Sequence, residues 1–422
     1  MRRTFLQRKR NPKPFLILAS MSFLCLLLQG NFSLSQNRVI LGNERFVNEF
    51  PDSLKKARLG LVVNHTSSLP QGPSLLQALL EKDLPVAAVF SPEHGFRGLQ
   101  EAGERIKNSR IQEIPVYSLY GETKKPTPQQ METVDALVYD IQDVGTRFYT
   151  YITTLKYTLE AAAEAQKPVY VLDRPNPAGG TLVEGPLLHP EYRSFIGACP
   201  IPIRYGLTCG ELAQMMKGEG WVPESLALHV IPMENWKREY FWEDTGLPWI
   251  PTSPNIPTPD TALIYPGTGL LGGLTLNQGL GTSHPFLQFG APWLNPNKVM
   301  EKLDGGKKYG IQLTPLNYTP RSLPGKTLHP PYENRTCRGI RVHIREKEKF
   351  RSLHFTLHLI KTLKENHPQK IRLHEKNLNL LFGSNRLSEY IKGTITFNKF
   401  LKEIKKEEKE FQNLRQKYFL YE

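Results

Sequence analysis

The octapeptide Ser91-Pro-Glu-His-Gly-Phe-Arg-Gly98 gathers three different kinds of reactive side chain directly after an apolar run. It sets a carboxylate (Glu93), an imidazole (His94) and a guanidinium (Arg97) within five residues. Each such group must be hydrated or paired when buried, so a loop without a binding task has little reason to gather all three. The octapeptide follows Val86-Ala-Ala-Val-Phe90, which reads as a buried parallel strand. Three other apolar runs end in the same manner. Arg58–Val63 leads into Asn64-His-Thr66, Ala136–Asp140 into Ile141-Gln142-Asp143, and Val169–Leu172 into Asp173-Arg174-Pro-Asn176.

Open α/β sheets bind ligands beyond the carboxyl ends of their strands, so these four ends are expected to share one crevice. Plainer roles fit each residue singly: Asp173 with Arg174 or Glu93 with Arg97 as ion pairs, and Asp140 as a helix cap. Together, several carboxylates and amides with Phe148, Tyr149 and Tyr151 close behind suit glycosidic-bond hydrolysis. That reaction uses one protonated carboxylic acid and commonly a second carboxylate.

Other chemistries lack their signatures. No G-x-G-x-x-G follows the first strand, no P-loop is present, and no G-x-S-x-G elbow offers a serine. Beyond the N-terminal segment the cysteines are Cys199, Cys209 and Cys337, with no C-x-x-C and no Cys/His cluster of metal spacing. No metal and no cofactor is expected. One disulfide or buried free thiols both fit.

The elements that must hold the crevice alternate. Helical patterns at Ser74–Lys82, Gln129–Val134, Phe148–Ala165 and Gly210–Lys217 separate the strands above from a short one at Val116–Tyr120 and a last one at Leu226–Ile231. This predicts an α/β fold with a Rossmann-like, doubly wound, mostly parallel sheet. Five prolines between 248 and 259 forbid regular structure, and Trp242, Trp249, Ile250 and Ile256 make that segment a wrapped loop rather than a free linker. From about Asn295 the pattern becomes α+β, with helices at Lys298–Leu303 and Leu353–Leu363 and a strand at Gly339–Ile344. An amphipathic helix from Phe397 towards Tyr418 mixes Lys with Glu, which reads as a solvated face rather than a nucleic-acid arm. With 422 residues the chain suits two domains, a catalytic one over 36–290 and a smaller C-terminal α+β domain over 291–422.

Residues 1–35 read as a signal peptide. A basic segment precedes the short apolar run Phe15–Leu28, and Ser33-Leu-Ser35 supplies a cleavage pattern. Their six basic side chains account for the fall in net charge from +14 to +8 on removal, so the remaining surface is only mildly basic. The mature chain is expected to be exported, periplasmic or extracellular, without a stable membrane span. Lipid anchoring at Cys25 is disfavoured, because Ser22-Phe-Leu24 lacks the small residues it requires.

Longer blocks carry a specific resemblance. Ser91–Gly98, Tyr117-Ser-Leu-Tyr-Gly121, Asp140-Ile-Gln-Asp-Val-Gly-Thr-Arg-Phe-Tyr-Thr-Tyr151 and Leu172-Asp-Arg-Pro-Asn-Pro177 are similar to blocks of the exo-acting β-N-acetylmuramidases of the NamZ type. So are Val183-Glu-Gly-Pro186, Ser253-Pro-Asn-Ile-Pro-Thr258, Gly290-Ala-Pro-Trp293 and the terminal Tyr418-Phe-Leu-Tyr421. The resemblance implies a Rossmann-like large domain, a smaller C-terminal domain, and release of N-acetylmuramic acid from non-reducing ends of peptidoglycan fragments, in cell-wall turnover. Peptidoglycan-derived sugars are then the partners expected, and nucleic acid is not.

The family's catalytic glutamate maps to Glu93, which takes the role of general acid. Glu184 and Asp143, with Asp140 behind them, are candidates for the second catalytic group, and the sugar's acetamido oxygen is another. Arg147 or Arg174 would grip the lactyl carboxylate, although pairing with Asp143 or Asp173 is equally open. His94 would orient Glu93 or a substrate hydroxyl. Asn64, Arg97, Asp140, Gln142, Tyr149, Asp173, Asn176 and Asn255 complete the expected sugar-binding set. One block departs from the family: Asn277-Gln-Gly-Leu-Gly-Thr282 carries Gln278 and Leu280 where relatives carry Glu and Arg. That departure motivates a rival reading as a carbohydrate-binding or sensor protein that keeps the cleft without turnover.

Overall fold

The structure is a computed structural model that describes Met1, residues 38–100 and residues 104–422. Apart from Met1, the expected signal segment, with Cys25, lies outside the described residues. Residues 39–422 form one compact unit.

Seven strands build the main sheet: β1 (Leu59–Val63), β2 (Val86–Ser91), β3 (Ser109–Ile111), β4 (Ile114–Ser118), β5 (Ala136–Asp140), β6 (Val169–Leu172) and β7 (Leu228–Ile231). Their order is β3-β4-β2-β1-β5-β6-β7, and every pairing is parallel except the β3–β4 hairpin at one edge. β1, β5 and β6 are buried at every position, as strands covered on both faces must be. Alternation divides them cleanly. Leu59, Leu61, Val63, Ala136 and Val138 join one apolar cluster, while Val62, Leu137 and Tyr139 join the other.

The chain leaves β1 towards β2 and β4, then returns past β1 to β5. The strand order therefore reverses between β1 and β5, and a crevice opens at their carboxyl ends. Helices start where capping residues dictate. Ser74, Thr127 and Thr208 each accept an amide from the residue three positions on, and Gln77, Gln130 and Glu211 reciprocate.

A second, antiparallel sheet contains β8 (Gln288–Ala291), β9 (Ile311–Tyr318) and β10 (Cys337–Ile344) in the order β8-β10-β9. The boundary expected between 290 and 291 runs through β8. Helices follow at Ser352–Asn366, Glu375–Phe382, Arg386–Lys392 and Phe397–Leu414. Charges stitch this half to the first: Glu407 and Glu408 accept the amides of Leu187 and Gly185 (2.8 and 2.7 Å), and Arg415 donates to the carbonyls of Gly180 and Gly206 (2.8 and 2.6 Å). Among the described residues no helix is long and apolar enough to cross a membrane. Cys199, Cys209 and Cys337 are buried free thiols.

Candidate active site

The turn after β2 winds tightly to present Glu93. His94 and Gly95 both adopt positive φ (68° and 74°), which is strained for His94. The His94 ring closes the turn by donating from Nδ1 to the Gln100 carbonyl at 2.6 Å, so it braces the loop that carries Glu93. Gly98 (φ 67°) is required, because a Cβ there would fall 2.0 Å from Nδ1 of His65. His65 in turn contacts the carbonyl of Pro251 at 2.7 Å, which draws the proline-rich loop over the crevice.

Glu93 is 7% exposed. The Thr150 hydroxyl donates to its Oε2 at 2.6 Å. Tyr151 stands 3.5 Å from the Glu93 carbonyl and donates to the carbonyl of Thr252 at 2.9 Å, while Tyr149 donates to Oγ1 of Thr252 at 3.1 Å. The Tyr149 and Tyr151 rings meet edge to face at 4.7 Å. Tyr120, from the turn after β4, faces the same carboxylate. Burial and the Glu93 charge push its phenol above the ordinary range. Tyr120 thus stays a protonated donor. Among the described residues no cluster of His, Cys, Asp and Glu could hold a metal.

The other expected site residues divide by location. Asn64 accepts from the amide and hydroxyl of Thr66 (2.9 and 2.6 Å), and Gln142 donates to the carbonyls of Asp143 and Pro175. Thr66, Gln142 and Arg174 line a cavity of about 310 Å³ with Leu41, Trp242 and Ile250. This cavity sits at the β1/β5 crevice, one strand away from β2. Arg97 is exposed. Asn255 donates to the Lys326 carbonyl and to Thr327, both at 2.9 Å, tying down a loop of the second half.

The remaining expected residues are engaged with other groups of the protein. Arg174 is spent on a two-pronged buried pair with Asp140, whose Oδ2 also accepts from Asn43 at 3.1 Å. Among the described residues Asp173 pairs with no arginine: it accepts from the amides of Arg174 and Gly210, the hydroxyl of Thr208 and the hydroxyl of Tyr421. Asn176 closes a local turn, accepting from Ala178 and donating to Leu207. Arg147, fully buried, donates to the carbonyls of Pro186, Ile201 and Leu381, and burial drops its pKa to about 9.

Glu184 is also fully buried. Its Oε2 meets Arg204 at 2.9 Å, and its Oε1 accepts the amides of Leu353 and His354, capping the Ser352–Asn366 helix. Both of its oxygens are thus engaged within the protein, away from solvent. Asp143 accepts from the Gly145 amide at 2.6 Å and from the Tyr205 hydroxyl through Oδ2. Burial lifts its pKa to about 6.

Sequence reasoning passed over Thr150 and Tyr120. Tyr120 lay within the recognised Tyr117–Gly121 block, at a strand end like the others. Thr150 likewise lay within the recognised Asp140–Tyr151 block, but inside the expected helix, where nothing singled out its hydroxyl.

Comparison with known proteins agrees with this architecture. Residues 59–260 match the model of the N-terminal part of exo-β-N-acetylmuramidase NamZ, and residues 263–421 match its C-terminal part. The chain is 36% identical over 396 residues to the peptidoglycan β-N-acetylmuramidase NamZ of Bacillus subtilis (strain 168), covering 93% of each. Two crystal structures of DUF1343 family proteins from Bacteroides fragilis NCTC 9343 superimpose with TM-scores of 0.83 and 0.74. Their identities are 34% and 33%, and the matches cover 92% and 91% of this chain and 100% and 99% of theirs. The chain belongs to the NamZ family of exo-β-N-acetylmuramidases.

Proposed function

We propose that this protein is an exo-acting glycoside hydrolase that releases N-acetylmuramic acid from the non-reducing ends of peptidoglycan fragments, with Glu93 as its general acid. The observation that carries the assignment is the setting of Glu93. It stands at a strand's carboxyl end, nearly buried, with Thr150 fixing one carboxylate oxygen and Tyr120 facing it. A positioned, largely dry carboxyl group suits protonation of a departing sugar oxygen. Tyr149, Tyr151 and Thr252 form a connected wall that holds this geometry without their own charges. Cell-wall turnover is the process such an activity serves.

The test is hydrolysis of a chromogenic β-N-acetylmuraminide by purified protein. Glu93→Gln keeps the shape and removes the proton, and should lower kcat by about 10²- to 10⁴-fold, the usual share of general acid catalysis. Circular dichroism should stay unchanged. Turnover within threefold of the parent would remove Glu93 from the mechanism. Binding of muramic acid without any release by the parent would favour the sensor reading instead.

A further inference from the structure

We infer that Lys124 is the receptor for the carboxylate that a muramic-acid substrate carries on its lactyl ether, a specificity role that rests on the glycosidase reading above. The arginines first considered for this task are committed within the protein, Arg174 to Asp140 and Arg147 to three carbonyls. Lys124 is differently placed. Its Nζ lies 3.9 Å from the ring centre of Tyr120 and 3.8 Å from that of Phe195, and the two rings are 5.5 Å apart and tilted by 47°. A long, flexible side chain is thus fixed between two aromatic faces, and the entropy of ordering it is already lost before any ligand arrives.

The Tyr120 ring that supports the ammonium also presents its phenol to Glu93, so cation and acid share one wall. Among the described residues, Glu93 is the acidic group that acts electrostatically on Lys124. A general acid begins its cycle neutral. In that state an incoming carboxylate takes over the electrostatic role that an ionised Glu93 otherwise plays towards the ammonium. Partial burial, which pulls the Lys124 pKa down, also strengthens attraction to an anion by excluding water. N-acetylglucosamine lacks the lactyl group and would leave the ammonium without that partner. The site therefore discriminates between the two sugars of the wall.

The test is calorimetric binding of N-acetylmuramic acid and of its methyl ester to the full protein, which needs no turnover. The parent should prefer the free acid by about 10- to 100-fold, as a charge-assisted contact allows. Lys124→Met, which keeps an apolar stem between the rings, should bind acid and ester alike. Lys124→Arg should restore most of the preference. An equal loss for both ligands in Lys124→Met would make the residue merely structural and overturn the inference. So would a parent that binds both alike or binds neither, or a preference that vanishes in Arg97→Gln and survives in Lys124→Met. Failure of the glycosidase reading is distinguishable, because it leaves selective binding of the acid with no hydrolysis of the muraminide.

Discussion

Replacing Glu184 with Gln separates a structural carboxylate from a catalytic one. The parent side chain pairs with a fully buried guanidinium at 2.9 Å and caps a helix through its other oxygen. Gln keeps an acceptor for the Leu353 and His354 amides but turns an amide donor towards the donors of Arg204. That strands a buried positive charge, a defect worth about 3–5 kcal/mol. Against a total stability of about 5–15 kcal/mol, the loss is a large fraction. With a urea slope of about 3 kcal/mol/M, the unfolding midpoint should fall by between about 1 and 1.7 M. Tryptophan fluorescence in urea measures the midpoint, and muraminide hydrolysis measured well below it should remain within threefold of the parent. Glu184→Leu combined with Arg204→Met should recover much of the stability, since an apolar pair of similar volume can replace a buried ion pair. The reasoning fails if the midpoint holds while turnover falls a hundredfold, because the carboxylate would then act in the chemistry.

Two further outcomes follow from the same geometry. Asp143 has its pKa raised to about 6 from an ordinary 3.8, mainly by burial. Its folded form therefore holds the proton more tightly than the unfolded chain. That contribution is complete below about pH 4 and is lost as pH rises towards about 6. Asp143→Asn should flatten the decline in urea midpoint across this window, and a slope identical to the parent's would contradict the assignment. Thr150→Val removes the hydroxyl that holds Glu93 while keeping its shape. It should lower kcat about tenfold with KM within twofold, the equivalent of about 1.4 kcal/mol. A rise in KM at constant kcat would place Thr150 in substrate binding instead.

The main sheet was legible in the sequence because its central strands are buried on both faces and so appear as unbroken apolar runs. β9 was not, since Pro315 interrupts it. The strand tolerates that residue because it lies at the edge of its sheet. The helix Pro259–Thr268 also escaped notice. It contains Pro266 and is buried over most of its surface, so it shows no amphipathic period. At the crevice, the gathering of polar residues at strand ends could be read directly, whereas their partners could not. Asp140 and Arg174 are 34 positions apart, and the carbonyls that hold Arg147 come from three separate segments. Nothing local distinguishes a strand-end carboxylate that faces a ligand from one that faces a guanidinium.

The charges that cross between the two halves bear on how the molecule opens. Glu184 caps a helix of the second half, Arg147 holds the Leu381 carbonyl there, and Glu407, Glu408 and Arg415 reach back to the backbone of 180–206. Separating the halves would break these charge-assisted contacts together and return each group to water without its counterpart. Partial unfolding of one half is therefore penalised in the other, and the low-lying subglobal states that a two-part chain would otherwise visit are suppressed.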